Sequence, residues 1–272
     1  MVTNIMSFGA ADAYRALSIK LLDKPDNLVN GTRELTNVTI EMLHPWANMV
    51  TQPERKLSVS YVYREVAWYF TATPDPAMVA EKAKRWTEIS DDNGYVQSNY
   101  GTRLFGDAFT LKPQLEYVVD ELQRNPSSRR AVAYIVTPAD FNSFEVTRDF
   151  PCTIALHFMI RGSCLDLTAY MRSNDVVFGF GNDVPFFTLL QALVAAKLGV
   201  AIGRYIHVAT SLHVYDNMVS RLSRANTPVK PLFPSVTAED YDWTVNFIWS
   251  APEPTTEFQR LIYKESLYSK ER

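Results

Sequence analysis

Apolar positions recur at helical spacing over residues 10–22, where Ala13, Leu17, Ile19, Leu21 and Leu22 precede a stop at Lys24-Pro25-Asp26. Residues 59–70 are apolar nearly all round, which predicts a helix buried in a large core and interrupted by Arg64 and Glu65. Further helices are predicted over 78–89, over 113–123 behind Pro113, and over 257–268. The most apolar stretch, 184–202, is broken by Pro185, Gln191, Lys197 and Gly199; it predicts a buried helix rather than a membrane span. Strand patterns fall at 38–40 after a turn at Asn30-Gly31, at 131–136, at 176–178, at 203–210 and at 241–249. Residues 154–160 and 164–171, joined by Arg161-Gly162-Ser163, predict a hairpin. Residues 91–101 read as a turn and a short extended segment, and 140–148 as irregular. No repeat, low-complexity tract or boundary interrupts this alternation, so one α/β domain over residues 1–272 is expected.

Composition narrows the function classes. The net charge of −3 argues against a general nucleic-acid binder. Two cysteines, Cys152 and Cys164, make neither a disulfide framework nor a zinc pattern, so a reducing compartment, the cytoplasm, is expected. The amino terminus lacks the basic and apolar regions of a secretory signal, and a soluble protein with no membrane partner is expected.

Candidate chemistry concentrates in residues 170–191, where a strand gives way to a helix, a usual place for binding groups in α/β proteins. Arg172 can grip a phosphate or carboxylate with two parallel bonds, Ser173 adds a hydroxyl, and Asp175 and Asp183 supply carboxylates. Composition alone equally allows a loop of solvated charges. Elsewhere the bland readings lead: Glu65 as an ion pair with Arg64 or another base, Cys152 as filler in an apolar strand, Tyr100 as packing, His213 as a satisfied core histidine. Arg33 sits in the turn before a strand. Arg129 and Arg130 are adjacent at a strand start and so point to opposite faces.

Arg172-Ser173-x-Asp175-Val176-x-x-Gly179, with Asp183 four residues on, resembles the nucleotide-binding signature of the thymidylate synthase superfamily. The run 171–183 is especially similar to the phage deoxycytidylate 5-hydroxymethylases within it. Glu65-x-x-Trp68-Tyr69, Asn125-x-x-Ser128-Arg129-Arg130, Pro151-Cys152-Thr153 twenty residues before Arg172, and His213-x-Tyr215 follow in family order. The resemblance runs over residues 28–248. It implies a mixed sheet covered by helices and a homodimer paired through the sheet face, with Arg129 and Arg130 reaching the phosphate held by the other subunit. It further implies Cys152 as nucleophile, Glu65 as general acid/base, and Tyr100 beside the cysteine. Arg33, Arg172 and Ser173 fall on the nucleotide phosphate side, Asp183 on the base, His213 and Tyr215 on the sugar 3′-hydroxyl. Trp86, Ile89 and Asp175 fall on the pterin side. Three departures accompany it: Thr153 where most thymidylate synthases carry His, Ile89 where a second Trp is usual, and an ending at 267–272 unlike the apolar segment that closes over the folate.

The implied reaction adds a one-carbon unit from 5,10-methylenetetrahydrofolate to C5 of a pyrimidine nucleotide. A thiolate at C6 breaks the ring's conjugation and gives C5 carbanion character, and the arginines around the phosphate are expected to help Cys152 ionise. A hydroxymethylase finishes with water, a thymidylate synthase with hydride. Family enzymes acting on uracil carry asparagine at position 183. Cytosine instead offers an amine donor and a bare N3 acceptor. Asp183 can accept from the amine and, when protonated, donate to N3. The expected substrate is therefore dCMP, with dUMP or CMP, and methylation, as the alternatives. For a phage-encoded protein the compartment is the host cytoplasm.

Overall fold

The computed structural model describes residues 2–106, 112–142 and 148–266. Strand β1 (Thr3–Ser7) leads into helix α1 (Ala10–Asp23), then β2 (Asn27–Val29) and the long β3 (Thr32–Met42). Helices α2 (Val59–Phe70), α3 (Ala77–Ala80), α4 (Arg85–Ile89), α5 (Tyr100–Leu104) and α6 (Gln114–Arg124) follow. Next come β4 (Val132–Tyr134), α7 (Pro138–Asn142), β5 (Thr153–Arg161), β6 (Cys164–Asp175), α8 (Gly181–Leu198) and β7 (Ala201–Tyr215). Helices α9 (Ala238–Ser250) and α10 (Glu257–Glu265) end the described chain.

The strands form one mixed sheet in the order β1-β3-β7-β6-β5-β4, with β2 on the start of β3. β1 runs parallel to β3 and β6 parallel to β7, whereas β3–β7, β5–β6, β4–β5 and β2–β3 are antiparallel. Adjacent rows across this sheet differ sharply. Ala133, Leu156, Ala169, His207, Ile40 and Ile5 lie in register and are all buried. The next row, Tyr134, Ala155, Tyr170 and Val208, leaves Tyr134 56 % and Tyr170 40 % exposed. Side chains alternate between sheet faces, so one face carries the core and the other is open at these tyrosines.

Helix α8 crosses the buried face between the parallel strands β6 and β7, packed against α9 and both strands. By length and composition the stretch Val176–Leu198 could cross a membrane, but 78 % of its most apolar window is buried inside the protein. It is a core helix, closed by Gly199 at φ +67°.

Several local expectations change. Residues 176–178 are not a strand but the start of a π-helical turn, Val176–Phe180, whose Phe178 amide donates to the Asp175 carboxylate. Residues 241–249 are helical: the alternation of Tyr241, Trp243, Val245 and Phe247 looks like a strand, yet α9 is buried around most of its girth and opens with a capping box between Thr237 and Asp240. The predicted helix at 78–89 is two short helices, α3 and α4. Arg33 lies within β3 opposite Val214 rather than in the turn. Tyr100 opens α5, capped by the Asn99 side chain, instead of lying extended. Residues 267–272, and with them the atypical ending, fall outside the described residues.

Candidate active site

The antiparallel β5–β6 and parallel β6–β7 pairings bring the start of β5, the ends of β6 and β7, and the start of β3 to one end of the sheet. Cys152 immediately precedes β5, and its carbonyl accepts from the Arg172 amide at 2.9 Å. Ser173 pairs with Ser211, Asp175 with His213, and Val214 with Arg33. Cys152, Arg172, Ser173, Asp175, His213 and Tyr215 therefore stand at one end of the sheet, while Arg33, in register with Val214, lies on the face opposite His213 and Tyr215. His213 and Tyr215, two residues apart, make an edge-to-face ring contact at 5.2 Å.

The exposed Arg172 folds back on the cysteine loop. Its Nε donates to the Pro151 carbonyl at 3.0 Å, and a terminal nitrogen donates to the Phe150 carbonyl at 2.7 Å while lying 3.8 Å from Cys152 Sγ. Burial pushes the Cys152 thiol up to about 11, and the Arg172 cation only partly offsets this, against the raising influence of Asp183, Asp149 and Asp175. Within one copy of the chain, Arg172 lowers the thiol by less than burial raises it. Arg129 and Arg130 stand exposed on the loop before β4.

Glu65 projects from α2 and is 6 % exposed. Burial raises its pKa to about 7, with the Tyr61 hydroxyl and the Arg55 charge pulling the other way. Arg64 is not its partner: that guanidinium pairs with Glu81 and Glu265. Tyr61 donates to Glu65 Oε1 at 2.7 Å, and Trp86 Nε1 donates to the Tyr61 oxygen at 2.8 Å. Trp86, half-buried on α4, also packs edge-on against Trp68 at 5.0 Å, and Ile89 lies one turn on. Tyr100 is buried and stacked on Tyr69 at 5.4 Å, one helix away from Glu65; burial, then Asp183 and Cys152, hold its phenol neutral.

Asp183 stands in the first turn of α8. Burial raises its pKa well above the carboxylate range, and neighbouring Glu65 and Asp175 add to this. Asp175 is raised too, by burial first; its coupling to His213 across the strand pair lowers it, and burial depresses His213 in turn. Asp175 Oδ2 is buried and has no hydrogen-bond partner among the described residues. A buried acceptor left open here fits a ligand bearing ring N–H and amino donors.

Arg55 escaped the sequence reading. It is 3 % exposed, donates to the Val177 carbonyl at 2.9 Å and to Asn182 Oδ1, and contributes positive charge at Glu65. A methyl at Gly181 would meet its guanidinium at 2.7 Å, so the glycine is what lets the cation reach the head of α8. Asn174, Tyr205 and His207 were missed as well. Asn174 fell within the run 171–183 as its unassigned position, and the Tyr205-x-His207 pair joins it only across the β6–β7 pairing. Among the described residues no group of His, Cys, Asp and Glu could hold a metal ion. A cavity of about 670 Å³ lined by Trp46, Leu189, Ala192 and Phe233 includes none of these residues.

Comparison with known proteins agrees with this geometry. The family model described as thymidylate synthase matches residues 23–242. The deoxyuridylate hydroxymethyltransferase of Bacillus phage SP01 is 34 % identical over 193 residues, 67 % of this chain and 50 % of that protein. The deoxycytidylate 5-hydroxymethyltransferase of Enterobacteria phage T4 is 30 % identical over 171 residues, 59 % of this chain and 68 % of that one. The chain thus spans about half the length of the first of these relatives. The solved thermostable thymidylate synthase A of Bacillus subtilis superposes with a TM-score of 0.65 at 20 % identity, covering 80 % of this chain and 86 % of its own, and shares the fold. With a mixed sheet of this type and a family match over most of its length, the chain belongs to the thymidylate synthase family.

Proposed function

We propose that the chain is a one-carbon transferase acting at C5 of a pyrimidine nucleotide, and specifically a deoxycytidylate 5-hydroxymethylase. Family membership makes 5,10-methylenetetrahydrofolate the co-substrate; when bound, it supplies the one-carbon unit. Trp86 and Ile89 line its side of the site, and the open Asp175 Oδ2 receives its donors. Arg172, Ser173 and Arg33 hold the nucleotide phosphate together with Arg129 and Arg130 from a second copy; His213 and Tyr215 hold the sugar. Cys152 adds to C6 as a thiolate. Glu65, neutral or charged near pH 7, moves protons and orients the water that ends the reaction. Tyr100 packs beside the cysteine. The whole of residues 1–272 works as one catalytic unit, in the cytoplasm, with neither nucleic acid nor membrane as partner.

The observation that carries the substrate assignment is the carboxyl at position 183, held toward its neutral form by burial. A protonated carboxyl offers one acceptor and one donor side by side, matching the amine and bare N3 of cytosine; uracil presents the reverse. Protonating N3 also withdraws electrons from the ring and favours attack at C6. A second reading, hydroxymethylation of dUMP, is favoured by the SP01 relative, whose name carries that substrate. Relative kcat/KM for dCMP and dUMP in the wild type and in Asp183→Asn separates them. A shift of at least tenfold toward dUMP on substitution is expected, the scale of one mismatched pair of hydrogen bonds, about 1.4 kcal/mol or more. An unchanged ratio contradicts the assignment.

A further inference from the structure

Behind Asp183 runs a hydrogen-bonded chain that the reaction itself does not require. Asn174 Nδ2 donates to Asp183 Oδ2 at 2.8 Å. On its other side Asn174 Oδ1 meets His207 Nε2 at 3.2 Å, and His207 Nδ1 meets the Tyr205 hydroxyl at 2.8 Å. All three residues are buried: Asn174 is 2 % exposed, His207 and Tyr205 0 %. An amide oxygen only accepts, so His207 carries its hydrogen on Nε2; its bare Nδ1 then accepts from Tyr205. Burial lowers the His207 pKa to about 3, so the ring is neutral and this tautomer is available. Gly179 closes the arrangement: a methyl there would meet Asn174 Nδ2 at 2.7 Å and Asp183 Oδ2 at 3.5 Å.

The direction of the chain has a consequence at its far end. In a neutral carboxyl the carbonyl oxygen accepts more strongly than the hydroxyl oxygen. A donor fixed on Oδ2 therefore makes Oδ2 the carbonyl and leaves the acidic hydrogen to Oδ1. We propose that Asn174, oriented by His207 and Tyr205, is a positioning residue that assigns the donor and acceptor oxygens of Asp183 and so sets cytosine against uracil. The inference rests on the reading of Asp183 as the base-contacting group. With the fixed polarity, Asp183 suits a base offering N3 as acceptor and an amine as donor. Without it the hydrogen sits on either oxygen, and the swapped form suits the N3–H and O4 of uracil equally well.

Steady-state kinetics with dCMP and dUMP on Asn174→Ala, Tyr205→Phe and Gly179→Ala, with Asp183→Asn in parallel, test this. The dCMP-to-dUMP ratio of kcat/KM is expected to fall about tenfold in Asn174→Ala, the scale of one net hydrogen bond, and by a smaller factor in the other two. The loss falls on dCMP, while dUMP turnover holds or rises. Equal losses on both substrates in the three variants would mean packing alone and overturn the proposal. A ratio inverted by Asp183→Asn but untouched by the three sinks this inference while sparing the base assignment. An unaltered ratio in Asp183→Asn, or a wild type that prefers dUMP, sinks both. Should Asn174→Ala not fold, Tyr205→Phe decides, since it keeps the buried ring and removes only the hydroxyl.

Discussion

Glu65 gives up water on folding and receives one phenolic hydrogen bond and a nearby cation in return, which is not enough to keep it ionised at the usual carboxylate pH. Its pKa rises from 4.5 unfolded to about 7 folded. Between these values the folded chain binds more protons than the unfolded one, so the residue's contribution to stability falls as pH rises from about 4.5 to about 7, then levels off. Glu65→Gln keeps the shape and the acceptor for Tyr61 but removes the titration. Denaturant unfolding at a series of pH values should show wild type losing about 3 kcal/mol relative to Glu65→Gln across that window, an order-of-magnitude figure for the full shift. Parallel curves would mean that Glu65 is solvated or paired. The same substitution removes the proposed proton carrier, so turnover should collapse even where stability improves.

At the scale of elements, the short helix α5 is held to α2 by an approach only glycine permits. A methyl at Gly101 would lie 1.6 Å from the Tyr69 carbonyl oxygen, inside the backbone itself. Gly101→Ala must therefore push α5 off α2, carrying Tyr100 away from its stack on Tyr69. Loss of turnover well beyond any loss of secondary structure by circular dichroism is the expected result; near-normal kcat would contradict this packing. The sequence offered no reason for Gly101, because the close approach that requires it is tertiary. Long periodic elements were readable because their period reflects their own burial: α1, α2, α6, α8 and the β5–β6 hairpin lie where apolar spacing puts them. α9 was not, because a helix buried around most of its circumference loses the 3.6-residue stripe and Tyr241, Trp243, Val245 and Phe247 imitate a strand. β1 was missed because a five-residue strand pairs with β3 more than thirty residues away.

Over the whole molecule, residues legible as a site were those whose neighbours in sequence travel with them. Cys152 with Pro151, and Arg172 with Ser173 and Asp175, come as short runs, and the sheet brings those runs together. The link from His207 to Asn174 and the contacts of Arg55 to Val177 and Asn182 are made only by folding, so no local pattern could flag them. Two features point past a single chain: the cysteine remains unactivated by Arg172 alone, and the sheet face bearing Tyr134 and Tyr170 is uncovered. On the proposed function a second copy seated on that face would bring its Arg129 and Arg130 to the cysteine. Cys152→Ala and Arg130→Ala should each be inactive, yet mixed subunits should recover activity, since one site of the mixed dimer carries both defects and the other neither. Absence of recovery, with a monomer by sedimentation, would contradict the shared site.

On the proposed function, a Cys152 thiolate activates C5 of a cytosine nucleotide for a one-carbon unit that water then completes. Mass spectrometry of the nucleotide after incubation with 5,10-methylenetetrahydrofolate and an equimolar mixture of dCMP and dUMP reads this directly. The expected product is dCMP heavier by one CH2O, formed first and abolished in Cys152→Ala. A product heavier by CH2, modification of dUMP alone, or product formed without the cysteine would contradict it.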